Sequence, residues 1–125
     1  MQNNEIIFYR TAQKECPMLE FLNGLDMKMR AKVTRTVDLL RDNGGALREP
    51  YSKPLTDGIF ELRIKVGTNI TRVLYFFVIG NKIVLTHGFV KKTQKTPPAE
   101  IDRAKRCRAD YLSRQHENDD VGKEN

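Results

Sequence analysis

Arg63, Arg72, Lys91, Lys92 and Lys95 stand at or near the ends of the most strand-like segments of this sequence. Cations gathered in this way suit chemistry on a phosphodiester, because an attacked phosphate gains negative charge in the transition state and fixed donors stabilise it. Arg63 lies on the polar side of the alternating run 59–65, and Arg72 opens the apolar run that follows. If the two runs form a hairpin, Arg63 before the turn and Arg72 after it approach each other. A third strand running back alongside brings Lys91, Lys92 and Lys95, at or just past its end, to the same edge. The competing reading is an ordinary salt-bridged surface in which Glu61 neutralises a neighbouring cation.

Other chemistries lack their residues. There is no HExxH, no GxSxG, no phosphate-cradling glycine loop and no Cys/His cluster with zinc spacing. His87 and His116 are too few for a metal site without distant help. The expectation is therefore a site with no metal and no small-molecule cofactor. Cys16 and Cys107 have no CxxC spacing, and no secretory signal opens the chain, which together suggest free thiols in a reducing cytoplasm. No apolar run approaches the roughly 20 residues that span a bilayer, so no membrane partner is expected.

With 125 residues the chain has room for one domain. It holds 22 Lys and Arg against 16 Asp and Glu, for a net charge of +6. The excess is uneven. Residues 117–125 carry Glu117, Asp119, Asp120 and Glu124 against Lys123, which leaves a body of +9 over residues 1–116. A body this basic draws polyanions, nucleic acid first among them. The division expected is a domain at 1–116 and a polar, disordered tail at 117–125.

The elements that would position the cations read as follows. Residues 5–9 are a short strand. Pro17 suits a first helical turn, and Asp26 is a candidate N-cap for a second helix ending at Gly44. Met29, Val33, Val37 and Leu40 share one face of that helix, while Lys28, Lys32 and Arg35 form a basic stripe on another. Residues 46–58, with Pro50 and Pro54, read as a loop. Strands at 59–65, 70–79 and 82–90, separated by turn residues, form an antiparallel meander. Thr96-Pro97-Pro98 starts a last helix reaching about residue 114. The fold class is α+β: a small antiparallel sheet (N-terminal strand plus three-strand meander), two N-terminal helices and a C-terminal helix, with helices packed on one face.

Lys53-Pro54-Leu55, Gly58-Ile59-Phe60-Glu61-Leu62-Arg63 and Thr71-Arg72-Val73-Leu74-Tyr75-Phe76 resemble consecutive blocks of the RelE/ParE toxin superfamily. The run from His87-Gly88-Phe89 through Lys91-Lys92-Thr93-Gln94-Lys95-Thr96-Pro97, followed by Glu100-Ile101 and Ala104, is similar to the phage-related HigB branch. The resemblance implies the toxin of a type II toxin–antitoxin pair: an endoribonuclease that cuts messenger RNA at the ribosome and is silenced by a helix-turn-helix antitoxin. It implies catalytic cations at Arg63, Arg72 and Lys92, or Lys91 beside it. Lys53, Lys65, Lys95, Lys28 and Lys32 become candidates for RNA contacts.

One departure stands out. RelE-like members carry a tyrosine acid near the start of the last helix, and Thr96-Pro97-Pro98-Ala99 occupies that region here. His87, Tyr51 and Lys95 are the available substitutes. Two alternatives therefore stay open: a ParE-type toxin that poisons gyrase without cutting RNA, and a basic DNA-binding accessory protein. At the start of a strand, Arg72 also reads as a residue whose loss would spare the fold.

Overall fold

An alternating run and two mainly apolar runs build three long strands, and the sheet they form has five. The computed structural model describes residues 4–91 and 95–124, the side chains of 91 and 116–124 excepted. In chain order the elements are β1 (Glu5–Phe8), α1 (Pro17–Asn23), α2 (Met27–Asn43), a 3-10 turn at Gly44–Ala46, β2 (Ser52–Thr56), β3 (Ile59–Val66), β4 (Asn69–Val78), β5 (Lys82–Lys91) and α3 (Pro98–Glu124). The sheet order is β1-β5-β4-β3-β2. This is the α+β class that the patterning implies.

Three details correct the sequence-based picture. The segment 46–58, expected as a loop, contains β2, which pairs antiparallel with β3. Pro54 obscures it: proline cannot donate to a ladder, and it is accommodated because β2 is an edge strand. Second, β1 pairs in parallel with β5, Ile6 beside Ile83 and Phe8 beside Leu85. No hairpin joins these two strands, so nothing local dictates an antiparallel pairing. Third, helices cover both faces of the sheet.

On one face, Met18 of α1 and Met29, Val33 and Leu40 of α2 pack on Leu62, Ile64, Val73 and Tyr75. Asp26 caps α2, its Oδ1 accepting from Met29 N–H at 2.8 Å. Gly88 admits the ring of Phe21, since a Cβ there would sit 2.4 Å from two ring carbons. On the other face, Ala104 and Cys107 of α3 pack on Ile59, Leu74, Phe76 and Val84, with Tyr9 alongside. Each such apolar side chain, fully buried, contributes about 1.5–3 kcal/mol.

Polar ties fix where α3 lies. Lys105 pairs with Asp57 of the β2–β3 turn at 2.7 Å. Tyr9 Oη donates to Asp110 at 2.6 Å, and Arg114 holds the same carboxylate. Burial and Asp110 push the Tyr9 phenol up to about 12, so it remains a donor. The helical backbone continues to Glu124, past residue 116, where the composition turns acidic. Among the described residues, no helix is long and apolar enough to cross a membrane.

Candidate nucleic-acid site

Register places the two arginines together: Arg63 of β3 is directly opposite Arg72 of β4, and Phe89 of β5 follows on the far side. Like charges facing each other across two strands repel, and the sequence answers with Glu61 two residues before Arg63. Its carboxylate lies 3.6 Å from Arg63 Nε through one oxygen and 3.8 Å from Arg72 Nε through the other. Arg72 Nη1 also donates to Thr96 Oγ1 at 3.0 Å, and the Thr96 hydroxyl donates to Glu61 Oε1. The neutralising role considered for Glu61 is therefore present, and it embraces both arginines.

The two differ in what solvent can reach. The Arg72 side chain is completely buried, whereas 28 % of the Arg63 side chain is exposed. Beside them a cleft of about 400 Å³ opens between β2, the Lys95–Thr96 segment and α3. Lys53 and Lys95 line it, together with Glu61, Thr96, Leu55 and Ile101. Lys53 reaches this position because it pairs with Glu61 across β2 and β3. Lys91 ends β5 beside Ile70, at the start of β4. Lys92 lies outside the described residues.

The other candidates fall into separate places. Tyr51 is exposed just before β2, and its carbonyl accepts from Arg63 N–H at 2.8 Å. Lys65 borders a groove of about 290 Å³ with Pro50, Arg63 and Ile70. Lys28 and Lys32 join Arg35 and Lys65 in another groove of about 320 Å³ at the β3–β4 turn. The basic stripe of α2 is thus a second patch, linked to the first through Lys65.

His87 faces α3 because of a bulge. Leu74 pairs with His87 and Tyr75 with Leu85, which leaves Thr86 as an extra residue. Strict alternation would have put His87 on the side of Ile83 and Leu85. The ring is buried, with Nε2 3.0 Å from Glu100 Oε1 and Nδ1 3.0 Å from Thr86 Oγ1. Burial, reinforced by the charge of Arg103, holds its pKa below the ordinary 6.5, against the opposing pull of Glu100. The neutral ring then donates from Nε2 to Glu100, while its Nδ1 lies against the Thr86 hydroxyl, which donates to the Leu74 carbonyl at 3.2 Å. His87 thus ties β5 to the first turn of α3.

This tie has a signed pH dependence. A base whose pKa is depressed by folding binds protons more readily when unfolded, so its contribution is complete above about 6.5 and is lost as the pH falls from there toward the folded value. The depressed carboxylates Asp57 and Asp110 act only below the normal 3.8. Denaturant melts from pH 7 to 5 should therefore show falling stability, and His87→Gln should flatten that slope. An equal slope in both proteins would remove His87 from the account.

Glu61, Thr96 and Glu100 are the site residues least visible in the sequence. Glu61 carried a signal, an acid two residues from Arg63 on one strand face; Thr96 and Glu100 stood in the block of resemblance, with nothing local to mark them as site residues. Among the described residues, no group of three or more His, Cys, Asp or Glu side chains is placed to hold a metal ion.

Residues 20–109, nearly three quarters of the chain, match the family model described as Phage derived protein Gp49-like (DUF891). The chain belongs to this family. The Gp49-like family is of the RelE-like toxin kind, in agreement with the superfamily resemblance. The Gp49-like match takes in Glu61, Arg63, Arg72, His87 and the start of α3. No curated protein matches the sequence.

Proposed function

We propose that this Gp49-like protein is the toxin of a type II toxin–antitoxin pair, of the HigB branch, and cleaves messenger RNA on the ribosome in the cytoplasm. The observation that carries the reading is the Arg63–Arg72 pair on the sheet beside a cleft flanked by Lys53 and Lys95. The RNA 2′-hydroxyl loses its proton and attacks the adjacent phosphorus. The bond from phosphorus to the 5′-oxygen breaks, that oxygen takes up a proton, and a 2′,3′-cyclic phosphate remains. Arg63, partly exposed beside the cleft, with Lys53, Lys95 and Lys92 or Lys91 beside it, neutralises the phosphate as charge develops. Lys65, Lys28 and Lys32 extend contact to neighbouring phosphates. Arg72 stands behind Arg63.

Ribosome dependence follows from the proton transfers. With both ring nitrogens of His87 engaged, Tyr51 and Lys95 remain as the protein's own candidates. Ribosomal RNA supplies what the protein lacks. The activity is held in check by a small helix-turn-helix antitoxin, encoded by an adjacent reading frame.

Purified protein should leave a naked transcript largely intact and cut the same message on programmed ribosomes, with cyclic ends at the break. Rapid cutting without ribosomes would mean a self-sufficient nuclease. Intact messages together with DNA damage and filamentation would move the assignment to gyrase poisoning.

A further inference from the structure

Arg72 is fully buried, with Glu61 and the Thr96 hydroxyl among its partners. Glu61 is itself buried, yet one of its oxygens faces outward to the partly exposed Arg63. The carboxylate therefore connects an inner guanidinium to an outer one. A lone arginine on a strand face samples many rotamers, and a guanidinium held from behind samples fewer, which favours stabilisation of a developing charge.

We propose that Glu61 is a positioning residue: anchored by Arg72 and Thr96, it aligns the Arg63 guanidinium at the mouth of the phosphate site, so that Arg72 acts through Glu61 and Arg63 without touching RNA. The inference rests on the RNA-cleaving reading for its catalytic consequence, but the alignment itself is a property of the protein alone. The cations outnumber the acid here, because Arg63 and Arg72 share this one carboxylate and Lys53 and Lys95 line the cleft that it borders. The Thr96 hydroxyl bridges the two buried charges, and Lys95, its chain neighbour, lines the same cleft.

Glu61→Gln keeps the side-chain shape and removes the charge. In the ribosome assay it should lower kcat by about 10²-fold, the loss typical of a group displaced by an ångström or so, with KM unchanged. Independently of RNA, 15N relaxation of the Arg63 Nε–H should show a side chain that is ordered in the wild-type protein and mobile in the variant. An Arg63 signal equally ordered in the folded variant would overturn the proposal, as would a raised KM with unchanged kcat.

Should Glu61→Gln fail to fold, Thr96→Ala removes one anchor of the carboxylate and leaves both ion pairs in place. It should loosen Arg63 in the same measurement and lower kcat to a smaller degree. Unaltered order at Arg63 in Thr96→Ala would again count against the proposal. If the wild-type protein cuts no ribosome-bound message, the functional reading falls, and the relaxation measurement still decides whether Glu61 orders Arg63.

Discussion

Arg63→Ala is expected to abolish growth arrest while changing stability by no more than about 1 kcal/mol, as for most changes on a partly exposed surface. Removing one donor to a developing oxyanion costs about 10²–10³ in rate, enough to release cells from a translation block. Glu61 keeps Arg72 and Thr96 as partners in this variant. Arg72→Ala should abolish arrest as well, but by a different route. It leaves a buried carboxylate short of its inner cation and empties the volume of a fully enclosed side chain. Breaking a buried pair from one side costs about 3–5 kcal/mol, which in a domain of this size lowers Tm on the order of 10 °C. The sequence-based expectation that loss of Arg72 would spare the fold is thus overturned by burial. Induction of each variant in cells, paired with a thermal melt, checks both statements. Wild-type potency in a folded Arg63→Ala protein would sink the site assignment.

A chain ending at Thr96 is expected to aggregate or remain unfolded. Without α3, Ile59, Leu74, Phe76 and Val84 lose their cover on one face of the sheet. At about 1.5–3 kcal/mol for each, the loss is comparable with the whole net stability of a small domain, about 5–15 kcal/mol. The Lys105–Asp57 and Tyr9–Asp110 ties go with it. Removing only residues 117–125 should change stability by about 0.5 kcal/mol or less, and more toxic behaviour in that shorter chain would indicate that its acids shield the basic face. Size-exclusion chromatography and melts of both proteins provide the check. A monomeric, cooperatively melting 1–96 chain would refute the role given to α3.

The legible parts of the fold were those written in local periodicity. The face shared by Met29, Val33 and Leu40, the cap at Asp26, and the alternation of β3 each depend on residues close in sequence, and the Arg63–Arg72 pairing follows from one tight turn. What escaped depends on distant partners. β2 is held by its neighbour strand in spite of Pro54. The orientation of β1 is set by β5, far along the chain. His87 changed faces because Thr86 forms a bulge, which no residue type announces. In the site, the cations were readable as types and spacing. Their division into a buried Arg72 and an accessible Arg63 was not, since it depends on Thr96 closing over the sheet from another segment.

The parallel pairing of β1 with β5 also bears on how the protein comes into being. During synthesis the chain emerges from its N-terminus, and Glu5 must wait for Lys82, its partner, before it can dock. The surface that α3 covers waits longer still, for Ala104 and Cys107. Pairings of such long sequence separation form late and slowly, so the first residues made are among the last to find their place. An incomplete nascent chain therefore holds its arginines on an unfinished sheet. The basic face is thus completed only when translation of the chain is nearly over.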